Sequence, residues 1–566
     1  MTPKTTRWTL PRDLRGLRPG RPFPSLVKGA VLGVSLLVAA LLVSANSNAA
    51  VGRELAAAGG AWREATSATG GARYIGRTRQ KSVTFMVSLS SSRRPSCFER
   101  WATGAGLLIG WQAGQEWATV TGAPGAVDRD FAVTINDYRA PDGRVFFATP
   151  RPAAVPSLAC GEVSGVGDIH SAVIPPSMED VPGSLLDPVD LLRAYDALPL
   201  IARGDLGRGR TIVFIETDGY TMADLATFAT KMQQCCGAVP GEHPLSHYGY
   251  DITNVGGDTA KEEGEAIMDL ETAHEIAPEA HLVYVNLLGA GPSTASLAVL
   301  FTDAIGSAAT HYPGAVFSIS LGFCETAGVF WQPADLRALN SAVLSDEERD
   351  HVTVFTSSGD TGGLDCTPTY PTNDAGKPPT ASFKGVQGPA TLPAVTGVGG
   401  TVLSTDSNGN YAGEEPWSWP LLSQGSGGGV SQVFAQPSWQ TAPGTGGPAD
   451  YNNHRQVPDV SADADPYSGN LIVQGGQFSG GSGTSLATPI WAGFTTLINQ
   501  FLTKPVGFFN PILYRLARGS RPYPPFHQVG VGGNDYYAAG PGYNMVTGLG
   551  TPDVWNLARD ISAVQP

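Results

Sequence analysis

The feature that most constrains the fold is an alternation, after about residue 185, of short apolar runs with segments of helical period. The apolar runs VFIET, HLVYVNLL, AVFSISLG and VTVFTSSGD each lead into a Gly- or Ser-rich turn. The segments between them include DLATFATKM, EAIMDLETAHEI and TASLAVLFTDAIG. Apolar strands that alternate with helices predict an α/β fold with a doubly wound, mostly parallel sheet and helices on both faces. In such a sheet the functional residues lie at the carboxyl ends of the strands.

The N-terminal segment has the organisation of an export signal. Residues 1–28 are rich in Lys and Arg, contain one acidic residue, Asp13, and precede the apolar stretch GAVLGVSLLVAALLVS. The tripeptide SNA at 47–49 offers a small-residue cleavage site. The apolar stretch has 16 residues, whereas a spanning helix needs about 20. Residues 1–49 are therefore predicted to be a signal peptide of a secreted protein, and the alternative is an uncleaved anchor on the outer face of the membrane.

The remaining chain divides by composition, since 566 residues exceed what one compact core holds. Residues 50–80 are small and polar, which is typical of a linker. Residues 81–178 contain the strand-like runs VTFMVSL, FAVTIND and GRVFFAT and are predicted to form a small α+β domain. Residues 179–566 contain the alternating pattern and form the larger domain.

The charge balance excludes one class of partner. Against 36 Lys and Arg residues stand 50 Asp and Glu residues, which gives a net charge of −14. Such a surface repels phosphate backbones, so no nucleic-acid partner is expected.

The six cysteines are Cys97, Cys160, Cys235, Cys236, Cys324 and Cys366. They show no spacing typical of a structural zinc site. In an exported chain their even number indicates disulfides. The adjacent pair Cys235-Cys236 has no evident partner.

The sharpest local motif is GSGTSLATP at 481–489, followed by the apolar segment IWAGFTTLINQFL. Ser485 is predicted to open a helix, where free backbone N–H groups and the helix dipole favour a developing negative charge. A bare GTS would be an ordinary helix cap in a Gly-rich loop. The whole string, with its small residue and Pro489 at fixed offsets, favours a nucleophilic serine.

A nucleophilic serine needs a base, and the histidines do not supply an obvious one. None of the nine histidines is followed by Gly-Thr, the pattern of a subtilisin-type base. Glu265 and Asp269 instead stand four residues apart, on one face of a predicted helix. Two close carboxyls that share a proton can act as a base at low pH. The spacing alone favours a solvated acidic face, because Glu262, Glu263, Glu271 and Glu275 lie nearby.

A third candidate is Asp360, in the sequence SSGD at the end of the run VTVFT. A carboxyl group at the carboxyl end of a strand lies where this architecture places its site. In its neutral form it can donate a hydrogen bond to an oxyanion. The alternative is a turn aspartate that caps the next loop.

Together these motifs resemble the sedolisin family, the serine-carboxyl peptidases, which share the subtilisin-like fold but use Ser, Glu and Asp. The resemblance covers nearly all of residues 185–560 in the right order. It includes LLRAYDALPL, RTIVFIETDGY, GEAIMDLETAHEIAPEAHLVYV, SISLG, SSGD, VGGT, GGGVSQVFAQPSWQ, VPDVSADADP and SGTSLATP.

The resemblance implies a role for each candidate residue. Ser485 would be the nucleophile and Glu265 the general base. Asp269 would orient and polarise Glu265, and Asp360 would help to form the oxyanion hole.

The same resemblance implies a disulfide between Cys324 and Cys366. It also identifies residues 81–178, most clearly FAVTINDYRAPDGRVFFATPRPAAVP, as an activation prodomain that acts as an intramolecular inhibitor. Cys97 and Cys160 both fall within this domain, and their pairing is plausible.

The family's structural calcium site is expected to be abnormal in this chain. The corresponding segments read HQV and AAGPGYNMVTGLG, so Gln528 and Asn544 stand where carboxylates are expected. Val529, Gly540 and Gly542 retain backbone carbonyls, and Asp535 offers one compensating carboxylate. The loss of two charges weakens a calcium site, since ligand charge sets its affinity. No cofactor is expected to be required for the chemistry.

These observations lead to the expectation of a secreted, acid-active serine-type peptidase, made as a self-processing zymogen and acting on proteins or peptides. Endopeptidase and tripeptidyl-type exopeptidase action both remain open. The alternatives are an inactive peptidase-fold binding protein and a subtilisin-like enzyme with a histidine base.

Overall fold

The computed structural model describes most of the chain after residue 72. The described residues are 4–5, 73–91, 93–111, 117–139, 145–149, 153–156, 159–166, 169, 185–235, 250–257, 264–290, 295–326, 331–366, 384–419, 424–442, 453–519, 523–534 and 536–564. Apart from the two-residue strand β1 (Lys4–Thr5), the predicted signal segment 1–49 lies outside them. None of the helices within these ranges has both the length and the apolar character needed to cross a membrane.

In its described residues the N-terminal domain contains two antiparallel sheets and two short helices. The strands are β2 (Arg73–Arg77), β3 (Val83–Leu89), β4 (Leu108–Gly110), β5 (Trp117–Gly122), β6 (Asn136–Arg139), β7 (Val145–Ala148) and β8 (Val163–Val166), and the helices are α1 (Ser96–Ala105) and α2 (Pro124–Asp130). One sheet has the order β4-β5-β3-β8 and the other β2-β6-β7. This is the α+β arrangement expected from the sequence.

Strand β2 lies at the end of the segment whose composition suggested a linker. Its five residues, RYIGR, include two apolar side chains, Tyr74 and Ile75, and both are exposed. The strand is held by its pairing with β6, in which Tyr74 faces Tyr138. Since pairing rather than burial holds the strand, hydrophobic patterning gave no sign of it.

The N-terminal domain has its own apolar core and a disulfide. Phe85, Phe98, Phe131 and Phe147 are fully buried at its centre. Cys97 and Cys160 are joined, with their Cα atoms 6.2 Å apart. The disulfide links the start of α1 to the turn before β8.

The larger domain begins near residue 185. Its strands are β9 (Thr211–Glu216), β10 (Asp251–Val255), β11 (His281–Asn286), β12 (Val316–Ile319), β13 (Phe323–Cys324), β14 (Thr353–Ser357), β15 (Gln387–Gly388), β16 (Thr396–Thr405), β17 (Tyr411–Pro416), β18 (Ser418–Trp419), β19 (Gln424–Gly425), β20 (Gly429–Ala435), β21 (His454–Val457), β22 (Val460–Asp463), β23 (Leu471–Gln474), β24 (Gln477–Gly480), β25 (Phe526–His527) and β26 (Thr551–Pro552). Its helices are α3 (Pro188–Ala194), α4 (Leu198–Ala202), α5 (Met222–Cys235), α6 (Glu265–Ile276), α7 (Leu287–Ala290), α8 (Leu297–His311), α9 (Pro333–Asp350), α10 (Gly483–Phe501), α11 (Asn510–Ala517) and α12 (Val554–Val564).

The central sheet has the order β1-β10-β11-β9-β12-β14-β16-β17, and β22 also pairs with β16. All of these pairs are parallel except β16 with β17. The four apolar runs identified from the sequence form the neighbouring strands β11, β9, β12 and β14. The predicted doubly wound, mostly parallel sheet is therefore confirmed.

The alternate side chains of each central strand enter two separate cores. In β9, Ile212 and Phe214 belong to one apolar cluster, and Val213 and Ile215 belong to the other. The first cluster includes helices α6 and α10, and the second includes α8 and α9. A strand covered on both faces consists of apolar residues throughout, which explains the unbroken run VFI.

The N-terminal domain docks on helices α8 and α9 of the larger domain. Strand β3 packs against both helices, and β5 and β8 pack against α9. The backbone N–H of Ser296, at the start of α8, donates to the carbonyl of Thr84 in β3 over 3.1 Å. The contact lies on the second of the two cores, away from α6 and α10.

Several carboxyl groups are buried in the larger domain without a cation beside them. Burial raises the pKa of Asp463 to about 8, and hydrogen bonds from Ser468 and Leu403 oppose that rise. Burial raises the pKa of Glu325 to about 7, and hydrogen bonds from Gln432 and Ser431 oppose that rise. The folded state therefore holds protons that the unfolded chain releases near pH 4. These retained protons stabilise the folded state fully at a pH below the ordinary pKa of a carboxyl. The stabilisation is lost as the pH rises through the raised pKa values of the folded state.

We therefore predict that the melting temperature of Ser485→Ala protein, in which the predicted nucleophile is removed, falls between about pH 5 and pH 8. Asp463→Asn should flatten this fall, by up to about 1.4 kcal/mol per pH unit, because it removes one of the retained protons. Asp406→Asn is the control, since hydrogen bonds lower the pKa of this exposed carboxyl and it retains no proton in this pH range. Calorimetry across this pH range measures the effect, and a melting temperature that rises toward pH 8 would contradict the interpretation.

Candidate active site

The carboxyl edge of the central sheet brings the predicted catalytic residues together. Asp360 follows β14, and Glu265 and Asp269 lie in the first turns of α6. Ser485 is the third residue of α10, which packs against both α6 and β14. Four side chains that span more than 200 residues of sequence thus meet where two helix N-termini face the ends of the strands.

Helix α10 begins at Gly483, two residues before Ser485, so Ser485 lies within its first turn rather than at its first position. Gly483 has φ +87°, and a Cβ atom there would lie 2.8 Å from Oδ2 of Asp360. Only glycine fits this approach without strain. The glycine therefore allows the Ser485 helix and Asp360 to come into contact.

Pro489 leaves the carbonyl of Ser485 without its usual helical donor, because proline has no N–H to offer to the residue four positions earlier. The hydroxyl of Ser320, just after β12, lies 3.2 Å from that carbonyl oxygen. The same hydroxyl lies 2.7 Å from Oδ2 of Asp269. Ser320 thus joins the backbone of the nucleophile candidate to the carboxyl of the predicted orienting residue.

Asp360 is held against the start of α10 by Thr484. Its Oδ1 accepts from the Thr484 N–H over 2.8 Å and from the Thr484 hydroxyl over 2.7 Å. Burial raises the pKa of Asp360, and the two Thr484 hydrogen bonds oppose that rise. A raised pKa keeps this carboxyl neutral over a wider range of pH, as an oxyanion donor requires.

Glu265 and Asp269 are buried, with exposed fractions of 8% and 0%. Burial, and then the charge of Asp269, raise the pKa of Glu265 well above its ordinary value, whereas the nearby Ser485 hydroxyl lowers it. Burial raises the pKa of Asp269 to about 8, and the hydrogen bond from Ser320 opposes that rise. Glu271 and Glu275 are also buried. The reading of α6 as a solvated acidic face is therefore wrong.

The sequence reasoning missed a third carboxyl of this cluster, Glu216, the last residue of β9. It is fully buried and interacts with Asp269 as a hydrogen-bonding carboxyl partner. Burial, followed by the charges of Asp269 and Asp218, raises the pKa of Glu216 well above its ordinary value. Asp360 was identified because its carboxyl group follows an apolar strand. Glu216 has the same position in the run VFIET, so the same criterion would have identified it.

The described histidines are engaged away from this cluster. His281 pairs with the Thr253 hydroxyl at 2.8 Å, His454 contacts the Ser431 carbonyl, and His311 contacts the carbonyl of Ser307. His274 stacks on Tyr250 with ring centroids 3.9 Å apart. The base candidates that the described structure places beside Ser485 are carboxyls.

Cys324 and Cys366 form a disulfide, with Cα atoms 4.8 Å apart. It ties β13, just beyond the Ser320 turn, to the loop that follows Asp360. The pairing implied by the family resemblance is present in the structure. Cys236 and the side chain of Cys235 lie outside the described residues.

Gln528 and Asn544, which stand in place of the expected calcium carboxylates, form hydrogen bonds within the protein. Gln528 Nε2 donates to the Leu549 carbonyl over 2.9 Å. Asn544 Nδ2 donates to the carbonyls of Val529 and Gly540, each over 3.3 Å. Asp535 lies outside the described residues.

Comparison with known proteins places the chain in a family. The Subtilase family profile matches residues 253–508. Over 471 residues the chain is 32% identical to kumamolisin of Bacillus sp. (strain MN-32), an alignment that covers 77% of each protein. It is 29% identical to sedolisin of Pseudomonas sp. (strain 101), with 78% and 74% covered. The chain belongs to the sedolisin family. It is therefore a hydrolase of the serine-peptidase class.

A solved structure of a sedolisin supports the fold assignment. The structure of Pseudomonas sedolisin, a serine-carboxyl proteinase complexed with two molecules of pseudo-iodotyrostatin, superimposes with a TM-score of 0.54 and 25% identity. The superposition covers 68% of this chain and 99% of that one. The solved sedolisin chain thus corresponds to about the length of the larger domain, and the subtilisin-like fold is confirmed.

Proposed function

We propose that this sedolisin-family chain is a secreted, acid-active serine-carboxyl peptidase that is made as a self-processing zymogen. The observation that carries the proposal is the placement of Ser485, in the first turn of α10, beside the buried pair Glu265 and Asp269. Asp360 faces the same turn from the other side through its contacts with Thr484. The site thus offers a nucleophile, a base and an oxyanion donor.

The first half of the reaction is acyl transfer to the serine. Ser485 Oγ attacks the carbonyl carbon of a peptide bond, and Glu265 accepts the hydroxyl proton as the C–O bond forms. The negative charge that develops on the carbonyl oxygen is stabilised by the protonated carboxyl of Asp360. As the C–N bond breaks, Glu265 returns the proton to the departing amine, which leaves an acyl-enzyme.

The second half repeats these steps with water. Glu265 takes a proton from the water as its oxygen attacks the acyl carbon, and Asp360 again stabilises the oxyanion. The bond to Ser485 Oγ then breaks, and the proton returns to that oxygen. Asp269 holds Glu265 through these steps, and it is itself held by Ser320 and Glu216. The side chains of the chain supply every proton-transfer group, so the proposed reaction calls for no cofactor.

Acid activity is supported by Asp360, which must keep its proton to act as the oxyanion donor, while three buried carboxyls nearby share the role of the base. Glu216, Glu265 and Asp269 cannot all be ionised together, because the charge of Asp269 raises the pKa of both Glu216 and Glu265. They lose protons in steps that belong to the group as a whole. The first proton lost leaves a single shared negative charge, which is sufficient for a base. A histidine would be protonated in the same acidic range and could not serve.

The N-terminal domain fits the role of an intramolecular inhibitor of the zymogen. Strands β3, β5 and β8 pack on helices α8 and α9, and the Ser296 N–H bonds to the Thr84 carbonyl. A domain with its own core and disulfide, docked on the catalytic domain, is suited to removal as a unit. The proposal therefore assigns residues 81–178 to an activation prodomain and residues 179–566 to the peptidase.

We predict that the purified protein cleaves denatured protein substrates at about pH 4. Ser485→Ala should lower the rate by more than about a thousandfold, because no other group takes the place of the nucleophile. Ser482→Ala, in the same Gly-rich segment and without a side-chain cap hydrogen bond, should retain activity. Gel analysis of substrate cleavage, and of prodomain release after acidification, provides the measurement. Equal cleavage by the wild type and Ser485→Ala would contradict the proposal, and the absence of cleavage and of prodomain release in both would favour an inactive binding protein.

A further inference from the structure

In this chain, the side-chain amides of Asn544 and Gln528 occupy the positions that correspond to carboxylate ligands in the family's calcium site. Asn544 Nδ2 lies 3.3 Å from the Val529 carbonyl, 3.3 Å from the Gly540 carbonyl and 3.1 Å from the Thr547 hydroxyl. The first two oxygens are backbone ligands of the kind that calcium binds. A hydrogen-bond donor therefore stands among oxygens that would otherwise face a cation.

The orientation of the Asn544 amide is determined by its neighbours. Its Oδ1 accepts from the N–H groups of Val546 and Thr547, each over 3.0 Å. A flipped amide would bring its oxygen against two carbonyls and its NH₂ against two N–H groups. The contacts with these four backbone groups would then be repulsive, so the nitrogen must face the carbonyls.

Gln528 occupies the second of these positions, and its side-chain amide is also held by hydrogen bonds within the protein. Its Nε2 donates to the Leu549 carbonyl over 2.9 Å, and its Oε1 accepts from the Gly542 N–H over 2.8 Å. Both polar ends of the side chain are thus engaged within the protein. Neither Gln528 nor Asn544 carries the negative charge that normally offsets a divalent cation.

We propose that the Asn544 amide replaces the calcium ion as the link between the segments around Val529 and Gly540, so that the C-terminal lobe is stable without metal. The groups around Asn544 do not fit calcium, because the side-chain NH₂ of Asn544 lies where the ion would bind, and a cation would repel it. The hydrogen bonds of Asn544 and Gln528 perform the structural task. This inference concerns stability and does not depend on the proposed catalytic function.

Thermal unfolding of full-length Ser485→Ala protein, with excess CaCl₂ or with EDTA, tests the proposal. The melting temperature should be the same in both, because a ligand that does not bind the folded state cannot stabilise it. Asn544→Ala should lower the melting temperature equally in both solutions, since it leaves buried acceptors without a donor. The combined change Gln528→Asp and Asn544→Asp should create a calcium-dependent rise that excess MgCl₂ does not reproduce.

Each result bears on the proposal. A calcium-dependent rise in the melting temperature without the two Asp substitutions would overturn it. So would an unchanged melting temperature in Asn544→Ala, or a folded double variant that does not respond to calcium. If the double variant does not fold, the first two comparisons still decide the question.

A second, independent observation concerns Asp218, which lies two residues beyond β9. Its Oδ2 accepts from the Glu265 N–H and its Oδ1 from the Ala266 N–H, each over 3.1 Å. These are the first two residues of α6. The residue at the N-cap position, Gly264, has no side chain to cap the helix. Asp218 therefore supplies the cap from another part of the chain.

The backbone of Asp218 is held as well as its side chain. The hydroxyl of Tyr284, in β11, donates to the Asp218 carbonyl. The carboxyl is buried with an exposed fraction of 5%. Because both the backbone carbonyl and the carboxyl group of Asp218 are held, the first turn of α6, and with it Glu265, lies at a set distance from the edge of the sheet.

Resting on the proposed function, we infer that Asp218 is a positioning residue that sets the approach of the Glu265 carboxyl to Ser485. It acts through the backbone of α6, and its charge also raises the pKa of Glu265. Loss of the cap should displace the base, and small displacements of a catalytic group have large effects on the rate.

Steady-state kinetics with a peptide substrate test this inference. Asp218→Ala should lower kcat by about 10- to 100-fold with KM unchanged. Asp218→Asn should restore most of the loss, because its amide oxygen still accepts one backbone N–H. Asp187→Ala is the matched control, since Asp187 caps helix α3 with two hydrogen bonds of 2.9 Å. It should lower the melting temperature and leave kcat unchanged.

A folded Asp218→Ala protein with wild-type kcat would overturn the inference, and so would a failure of Asp218→Asn to recover activity. These results are separable from a failure of the proposed function. If Ser485→Ala retained activity the function itself would be wrong, whereas a wild-type rate in Asp218→Ala beside an inactive Ser485→Ala would contradict the positioning role alone.

Discussion

The structure depends on the burial of carboxyl groups that cannot all be ionised. Glu216, Glu265 and Asp269 meet at the edge of the sheet, where burial raises the pKa of each. A protonated carboxyl is a hydrogen-bond donor, whereas an ionised one only accepts. The same groups therefore hold the site together in acid and provide a base once one proton is lost. In this account the stability and the chemistry of the protein depend on the same protons.

The fold places this cluster by bringing helix ends to the ends of strands. Pro489 frees the Ser485 carbonyl, and Ser320 occupies the resulting gap while it holds Asp269. Gly483 allows Asp360 to approach the first turn of α10, and Thr484 fixes it there. Each contact joins residues that are distant in sequence. The site is consequently rigid only when the sheet and both helices are formed.

The alternating apolar runs were enough to predict the sheet, because strands buried on both faces carry continuous apolar sequence. The motifs around Ser485 and Asp360 were recognisable because glycine, proline and serine occupy positions that the backbone requires. Strand β2 was not predictable, since pairing with β6 rather than burial holds it. Asp218 was not predictable either, because it caps a helix 47 residues away in sequence. The spacing of Glu265 and Asp269 predicted a shared helix face, but their burial depends on the packing of α6 against α10.

The central claim is that a buried carboxyl, rather than a histidine, accepts the proton of Ser485. The pH dependence of kcat/KM for wild type and Glu265→Gln tests it most directly. Glutamine preserves the shape of the side chain but cannot accept the proton. We expect kcat/KM of the wild type to be maximal at about pH 4, and Glu265→Gln to be inactive at every pH. A maximum near pH 8 that persists in Glu265→Gln, as a histidine base would give, would contradict it.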